Sequence, residues 1–243
     1  MQSIRLDIEG TTTPVDFVYK VLFPYARQHV KEFLSQFYGT EEVQVDIRQL
    51  RNEQALDQQQ KLTPPVWQDD SIDSRVESIT TYVHWLMDQD RKSTGLKSLQ
   101  GKIWERGYRS GQLRGQVYAD VPPAFRRWSE QKKGIDIFSS GSVLAQKLLF
   151  QHTPSGDLTR FLRRYFDTAT GPKMEPESYG RIARALGQAP SEILFISDVI
   201  AELDAATSAG METRLCVRPG SPFPQSHSHP VIHTFDEISP SIM

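Results

Sequence analysis

Four residues near the N-terminus, Ser3-Ile4-Arg5-Leu6, read as one short strand, and no second strand pattern appears until the chain has run through a long helical block, roughly residues 16–115. A lone strand of this length cannot bury itself. It must join a sheet assembled from residues much further along, so the block between is an insertion. The strand leads directly into Asp7-Ile8-Glu9-Gly10-Thr11-Thr12-Thr13-Pro14. In extended chain, residues i and i+2 point to the same side, which places Asp7 and Glu9 in one pocket if the strand continues to them. Two adjacent acids repel unless they share a cation or a proton.

The helical block lies between two proline-bearing junctions, Thr13-Pro14 and Pro122-Pro123. Asp16 is a plausible N-cap for a segment with Phe17, Val18, Val21 and Leu22 on one face. Pro24 restarts or kinks that helix, which continues through Tyr25, Val30, Phe33 and Leu34. A helix over 41–58, a polar loop, a helix opened by Ser74 and a helix over 96–109 complete the block.

Beyond Pro123 the texture alternates. Helix 123–132, strand 134–138, a helix from Val143, strand 165–168, helix 177–186 ended by Gly187, strand 193–197, helix 201–209 and strand 213–217 follow in turn. Strands alternating with helices imply an α/β fold, a doubly wound parallel sheet covered on both faces. The predicted organisation is therefore a core of 1–15 and 116–243 with a helical domain of 16–115 inserted after the first strand. Residues 220–243, with Pro222, Pro224, His227, His229 and His233, read as a loosely held tail rather than a metal site.

Net charge is −2 with both signs dispersed, which argues against a nucleic-acid groove or an anionic membrane surface as partner. The single cysteine, Cys216, lies in the apolar run Leu215-Cys216-Val217 and reads as buried packing. An acid at position 7 precludes a signal-peptide core, and no run reaches transmembrane length, so a cytoplasmic protein is expected.

The carboxyl ends of the core strands carry the chemistry, because open α/β sheets bind ligands there. They present Asp7 and Glu9, then Ser139-Ser140-Gly141 before a helix, then Lys173, then Asp198 with Glu202. Each piece alone is an ordinary helix cap or a solvated charge. Together, Asp7, Glu9 and Asp198 offer hard oxygen ligands suited to Mg²⁺ and a phosphorylated substrate. Ser139 and Ser140 at a helix N-terminus, with Lys173, suit the phosphate itself. Asp7 is cast as a nucleophile forming an acyl phosphate, and Glu9 as the acid and then the base.

This order of motifs resembles the haloacid dehalogenase superfamily of phosphohydrolases. Glu9, where most members have aspartate, is similar to the enolase-phosphatases of methionine salvage, as are Phe17-Val18-Tyr19-Lys20-Val21-Leu22-Phe23-Pro24-Tyr25-Ala26 and Ser139-Ser140-Gly141-Ser142-Val143-Leu144. The resemblance implies a Rossmannoid core with a helical cap and a bifunctional, Mg²⁺-dependent phosphoric monoester hydrolase. Its substrate would be 2,3-diketo-5-methylthiopentyl-1-phosphate, enolised and then dephosphorylated to the acireductone 1,2-dihydroxy-3-keto-5-methylthiopentene through an aspartyl-phosphate. It also implies one Mg²⁺ held by Asp7, Asp198 and, through its backbone carbonyl, Glu9, with Ser139, Ser140 and Lys173 on the substrate's phosphate and Glu202 on a metal-coordinated water. A cytoplasmic monomer is expected. Ile200-Ala201 is less polar than the family pattern. The base for enolisation is not evident, with Glu9 a candidate. Tyr19, Lys20, Phe23, Trp104 and Arg109 in the insert are candidate substrate contacts, although packing or a solvated face is the plainer reading of each. Rival readings are a phosphatase for a sugar or glycolate phosphate, a dehalogenase (which would need neither Glu9 nor magnesium), and a binding module that lost its chemistry.

Overall fold

A computed structural model of the chain describes residues 1–221 and 226–238. Strand β1 (Ser3–Leu6) is buried along its whole length, Ser3 and Arg5 as completely as Ile4 and Leu6, because a central parallel strand is covered on both faces. After the loop from Asp7 comes a single helical turn, α1 (Val15–Phe17), with Pro14 rather than the expected Asp16 at its N-cap. Asp16 falls within the first turn, where an acid faces the exposed N–H groups. A π-helical turn (Val18–Leu22) leads into α2 (Phe23–Phe37). Pro24 has no N–H for the carbonyl four residues earlier, and it sits at the start of the regular helix, where none is needed.

Helix α3 (Glu41–Gln59) starts at Thr40. Helix α4 (Ile72–Asp88) begins two residues before the expected Ser74, because Ser71 caps it: its side chain accepts from Ser74 N, and Ser74 answers with its own hydroxyl. Helix α5 (Thr94–Arg109) is capped by Ser93, which accepts from Leu96 N at 2.9 Å. Val30, Leu34, Ile79, Leu86 and Leu99, which fall at helical spacing in the sequence, are buried in these helices, and so is Leu50 of α3. Residues Tyr19–Leu113 form one compact unit, against the expected limits of 16–115.

The other unit comprises Met1–Val18 and Arg114–Met243. It continues with α6 (Val121–Glu130), β2 (Gly134–Phe138), α7 (Val143–Gln151), β3 (Arg164–Phe166), α8 (Pro176–Leu186), β4 (Ile193–Ser197), α9 (Ile200–Ser208) and β5 (Glu212–Cys216). Helix α8 ends as predicted at Gly187, which is left-handed with φ 66°. The sheet is parallel throughout with strand order β3-β2-β1-β4-β5-β6. β1 thus lies between β2 and β4, where the winding direction reverses, and ligands of such sheets bind beyond the strand ends at that crevice. Phe138, Tyr179, Ile182, Phe195, Leu203 and Leu215 fill the core on one side. Cys216 is 1 % exposed, and burial pushes its thiol up to about 12.

The sixth strand, β6 (Val231–Ile232), overturns the reading of residues 220–243 as a loose tail wherever the structure describes them. Residues 222–225 and 239–243, including Pro222 and Pro224, lie outside the described residues. His229 is 6 % exposed, with Nδ1 2.9 Å from Thr213 Oγ1 and Nε2 3.0 Å from Asp204 Oδ1. Phe235 is fully buried, its ring centroid 5.3 Å from that of Trp128. Two apolar residues among prolines, serines and histidines carry no visible period, so only their partners make this segment ordered. Among the described residues no helix is long and apolar enough to cross a membrane.

Candidate active site

Asp7 is the first residue past β1, 2 % exposed, and its N–H still donates to Ile196 O of β4 at 3.0 Å. The chain then closes tightly on itself. Thr11, Thr12 and Thr13 all donate their N–H groups to Ile8 O, at 3.2, 2.9 and 2.9 Å, and Gly10 donates to Thr13 O at 2.9 Å. Gly10 has φ +72°, and a Cβ there would lie 2.1 Å from Asp198 Oδ2. Only glycine allows both that backbone conformation and that approach.

At the end of β2, Ser139 is fully buried; its hydroxyl donates to Glu9 Oε2 at 3.3 Å and accepts from Gly141 N at 3.1 Å. The expected placing of Ser139 and Ser140 at the helix N-terminus needs correction. Ser142 is the N-cap of α7, accepting from Ala145 N, so Ser139-Ser140-Gly141 forms the loop before the helix, with Ser140 exposed. Gln146, fully inside, holds that loop by donating to Gly141 O at 2.8 Å and Phe166 O at 2.9 Å.

Lys173 lies beyond β3 with its side chain 9 % exposed, and its Nζ is 2.5 Å from Asp7 Oδ1 and 2.7 Å from Glu202 Oε2. Its backbone carbonyl accepts from Tyr179 Oη at 2.7 Å. Glu202, in the first turn of α9, also accepts from Ser197 Oγ at 2.9 Å. Asp198 follows β4, and its Oδ1 is buried with no hydrogen-bond partner among the described residues.

Four carboxyl groups thus face one ammonium, and their protonation shows the imbalance. Burial, then the Asp7 charge, raises the Glu9 carboxyl above its ordinary value. The same two causes push Asp198 up to about 7. Glu202 is also raised to about 7, by burial and Asp7, against the pull of Lys173. Burial alone would lower Lys173, but Asp7 and Glu202 outweigh it and hold the ammonium well above the usual lysine range. A further cation would relieve the excess of negative charge. The donors are all oxygens, as a hard cation requires, and the orphaned Asp198 Oδ1 is available to one. Among the described residues no three Asp, Glu, His or Cys side chains converge as a ligand set. The Glu9 carboxylate is turned to Ser139 instead.

In the helical unit, Trp104 is buried and donates Nε1–H to Leu22 O at 2.8 Å, with Phe23 stacked on it at 6.2 Å. Tyr19 is 62 % exposed and meets the edge of Phe23 at 5.5 Å, Lys20 is exposed, and Arg109 pairs with Glu105 at 2.6 Å. Packing accounts for Trp104, and an ion pair on an exposed helix face for Arg109.

Sequence reasoning missed Gln146 and Arg218. Arg218 stands just past β5, so reading a fifth strand end as the other four were read would have found it. Gln146 carries no such signal, since an amide inside an apolar helix face shows its use only once its acceptors are placed.

A doubly wound parallel sheet with an acid closing its central strand and a lysine, a serine and further acids at the neighbouring strand ends defines a haloacid dehalogenase-like hydrolase, and the profile of that family matches residues 1–210. The chain belongs to this family, within its branch of enolase-phosphatases. It is 54 % identical over 236 residues to Enolase-phosphatase E1 of Synechococcus elongatus, covering 97 % of both chains. The solved UTR4 protein of Saccharomyces cerevisiae is 36 % identical, with a TM-score of 0.78 over 98 % of this chain and 99 % of that one. A phosphatase of the same superfamily from Thermococcus onnurineus shares the fold at 17 % identity, with a TM-score of 0.58 over 98 % and 95 % of the two chains.

Proposed function

We propose that the chain is an enolase-phosphatase that converts 2,3-diketo-5-methylthiopentyl-1-phosphate to the acireductone and phosphate in methionine salvage. The observation that carries the reading is Asp7, buried at the end of the central strand, held by Lys173 at 2.5 Å and followed two residues on by glutamate rather than a second aspartate.

In the first reaction a carbon-bound proton beside a carbonyl leaves, and its electron pair forms the enol double bond while the carbonyl oxygen takes up charge and a proton. Glu9 is the candidate base. In the second, an Asp7 carboxylate oxygen attacks phosphorus, and the bond from phosphorus to the substrate's C1 oxygen breaks with its electron pair. Glu9 supplies the proton that oxygen needs, and its raised carboxyl suits it to hold one. Water then attacks the aspartyl-phosphate, gives its proton to Glu9, and releases phosphate with the Asp7 carboxylate restored. Ser139, Ser140 and Lys173 take the substrate's phosphate oxygens. Lys173 stands directly against the nucleophile, so it also offsets charge that accumulates there.

The carboxylates of Asp7 and Asp198 and the backbone carbonyl of Glu9 would hold Mg²⁺. When bound, Mg²⁺ neutralises phosphate charge and polarises the substrate carbonyl. The helical unit takes the role of a cap in this reading.

The test is turnover of the diketo phosphate by purified protein, following enol absorbance and phosphate release together, with Mg²⁺ and with a chelator. Enol formation preceding Mg²⁺-dependent release, with release lost in Asp7→Asn, is the expected result. Release from sugar or glycolate phosphates without action on the diketo compound would replace the salvage reading by that of a general phosphatase.

A further inference from the structure

The loop that carries Asp7 and Glu9 is fixed in shape by its own N–H groups on Ile8 O, but those bonds set no orientation relative to the sheet. Its threonine hydroxyls do not supply one either. Among the described residues, Thr12 Oγ1 bonds only within the loop, and Thr11 Oγ1 and Thr13 Oγ1 are buried without partners. Besides the side-chain contacts of Asp7 with Lys173 and of Glu9 with Ser139, the outward ties are made by the backbone. Asp7 N reaches Ile196 O at 3.0 Å, Thr12 O accepts from Tyr118 N at 3.0 Å, and Thr11 O accepts two bonds from Arg218.

Arg218 is 2 % exposed and every edge of its guanidinium is used. Nε and Nη2 donate to Thr11 O at 2.9 and 2.7 Å; Nη1 donates to Asp120 Oδ2 at 2.7 Å and to His233 O at 3.2 Å. Its plane lies between the rings of Tyr118 and Phe235, 4.3 and 4.5 Å from their centroids. Asp120 Oδ2 accepts from Phe235 N as well, at 2.6 Å, which locks the segment after β6 into the same cluster. One neutral donor would satisfy a buried carbonyl. A charged planar fork, paired with its own carboxylate and stacked on both faces, gives direction as well.

We infer that Arg218 is a positioning residue for the phosphatase site. Through the Thr11 carbonyl it orients the Asp7–Thr13 loop, so that Asp7 meets Lys173 and Gly10 seats against Asp198. The inference rests on the proposed phosphatase reading, and it gives residues 226–238 a part in catalysis, because His233 and Phe235 hold the arginine.

The experiment compares the full chain with Arg218→Lys and Arg218→Ala for kcat and KM of phosphate release, together with melting temperature. Lysine keeps the charge but loses the fork, so kcat falls about tenfold or more while KM stays within about twofold. Guanidinium ion added to Arg218→Ala restores about fivefold or more of the lost kcat. Lowered melting temperatures with unchanged kcat per folded molecule, or no rescue together with a fully active lysine variant, would overturn the inference while the phosphatase reading stands. If wild-type protein releases phosphate only from other esters, the same comparison is made on those. If it releases none from any, the phosphatase reading and this inference fall together.

Discussion

The ammonium of Lys173 lies 2.7 Å from Oε2 of Glu202, and neither side chain is more than 10 % exposed. The same ammonium holds Asp7, so one cation reconciles two acids from opposite ends of the chain. Lys173→Met should therefore do more than remove a phosphate contact. At pH 8 it leaves Asp7 and Glu202 buried and unpaired, at a stability loss on the order of 3–5 kcal/mol. At pH 5 the deficit shrinks, because Glu202, whose carboxyl is pushed up to about 7, takes up a proton. Urea unfolding at the two pH values checks this, and phosphate release should fall by at least about 100-fold.

The raised carboxyls give a pH dependence of definite sign. Glu9, Asp198 and Glu202 bind protons more tightly in the folded chain than in the unfolded one. Stability of the metal-free protein consequently falls as pH rises from the ordinary carboxylate range through about 7, where Asp198 and Glu202 ionise. Mg²⁺ held by Asp7 and Asp198, as proposed, would compete with those protons, so it should raise the melting temperature strongly at pH 8 and little at pH 5. Melts in chelator and in Mg²⁺ across that range are the measurement; a metal-free protein most stable at pH 8 would contradict it.

Gly10→Ala should damage the site rather than the fold at large. A methyl group 2.1 Å from Asp198 Oδ2, on a backbone with φ +72°, must push either the loop or Asp198 aside. The expected stability loss is about 1–3 kcal/mol. Titration of activity with Mg²⁺ should show a weaker metal requirement curve, shifted to higher concentration by about tenfold or more.

Gln146→Leu removes both donors that hold Gly141 O and Phe166 O while keeping the volume. Gly141 O, only half-buried, loses this donor, and Phe166 O keeps the Ser139 N–H at 3.2 Å, so the loss is about 0.5–1.5 kcal/mol apiece. The Ser139-Ser140 loop should then hold phosphate less well, visible as a rise in the inhibition constant of inorganic phosphate and in KM.

Much of the fold was legible before any coordinates. Strands 134–138 and 193–197 fall where the apolar runs place them, since parallel strands covered on both faces are rich in apolar residues. The strand-end residues Asp7, Ser139 and Asp198 were equally open to reading, because each directly follows such a run, while Lys173 lies in the longer loop after β3. The misplaced helix caps share one cause. Ser71, Ser142 and Pro14 displaced the expected caps, and in each case several residues nearby could have served, with backbone geometry making the choice.

What the amino-acid order determined by itself is the periodic part: which segments are strands, which are helices, and that an isolated first strand must pair with distant ones. Tertiary structure alone decided where Gln146 and Arg218 direct their donors, that Lys173 serves Asp7 and Glu202 together, and that Val231-Ile232 becomes the sixth strand. Periodicity reports whether a residue is buried. It does not report which polar atom will lie opposite it, and for a buried guanidinium, amide or carboxylate that partner is what sets both stability and role.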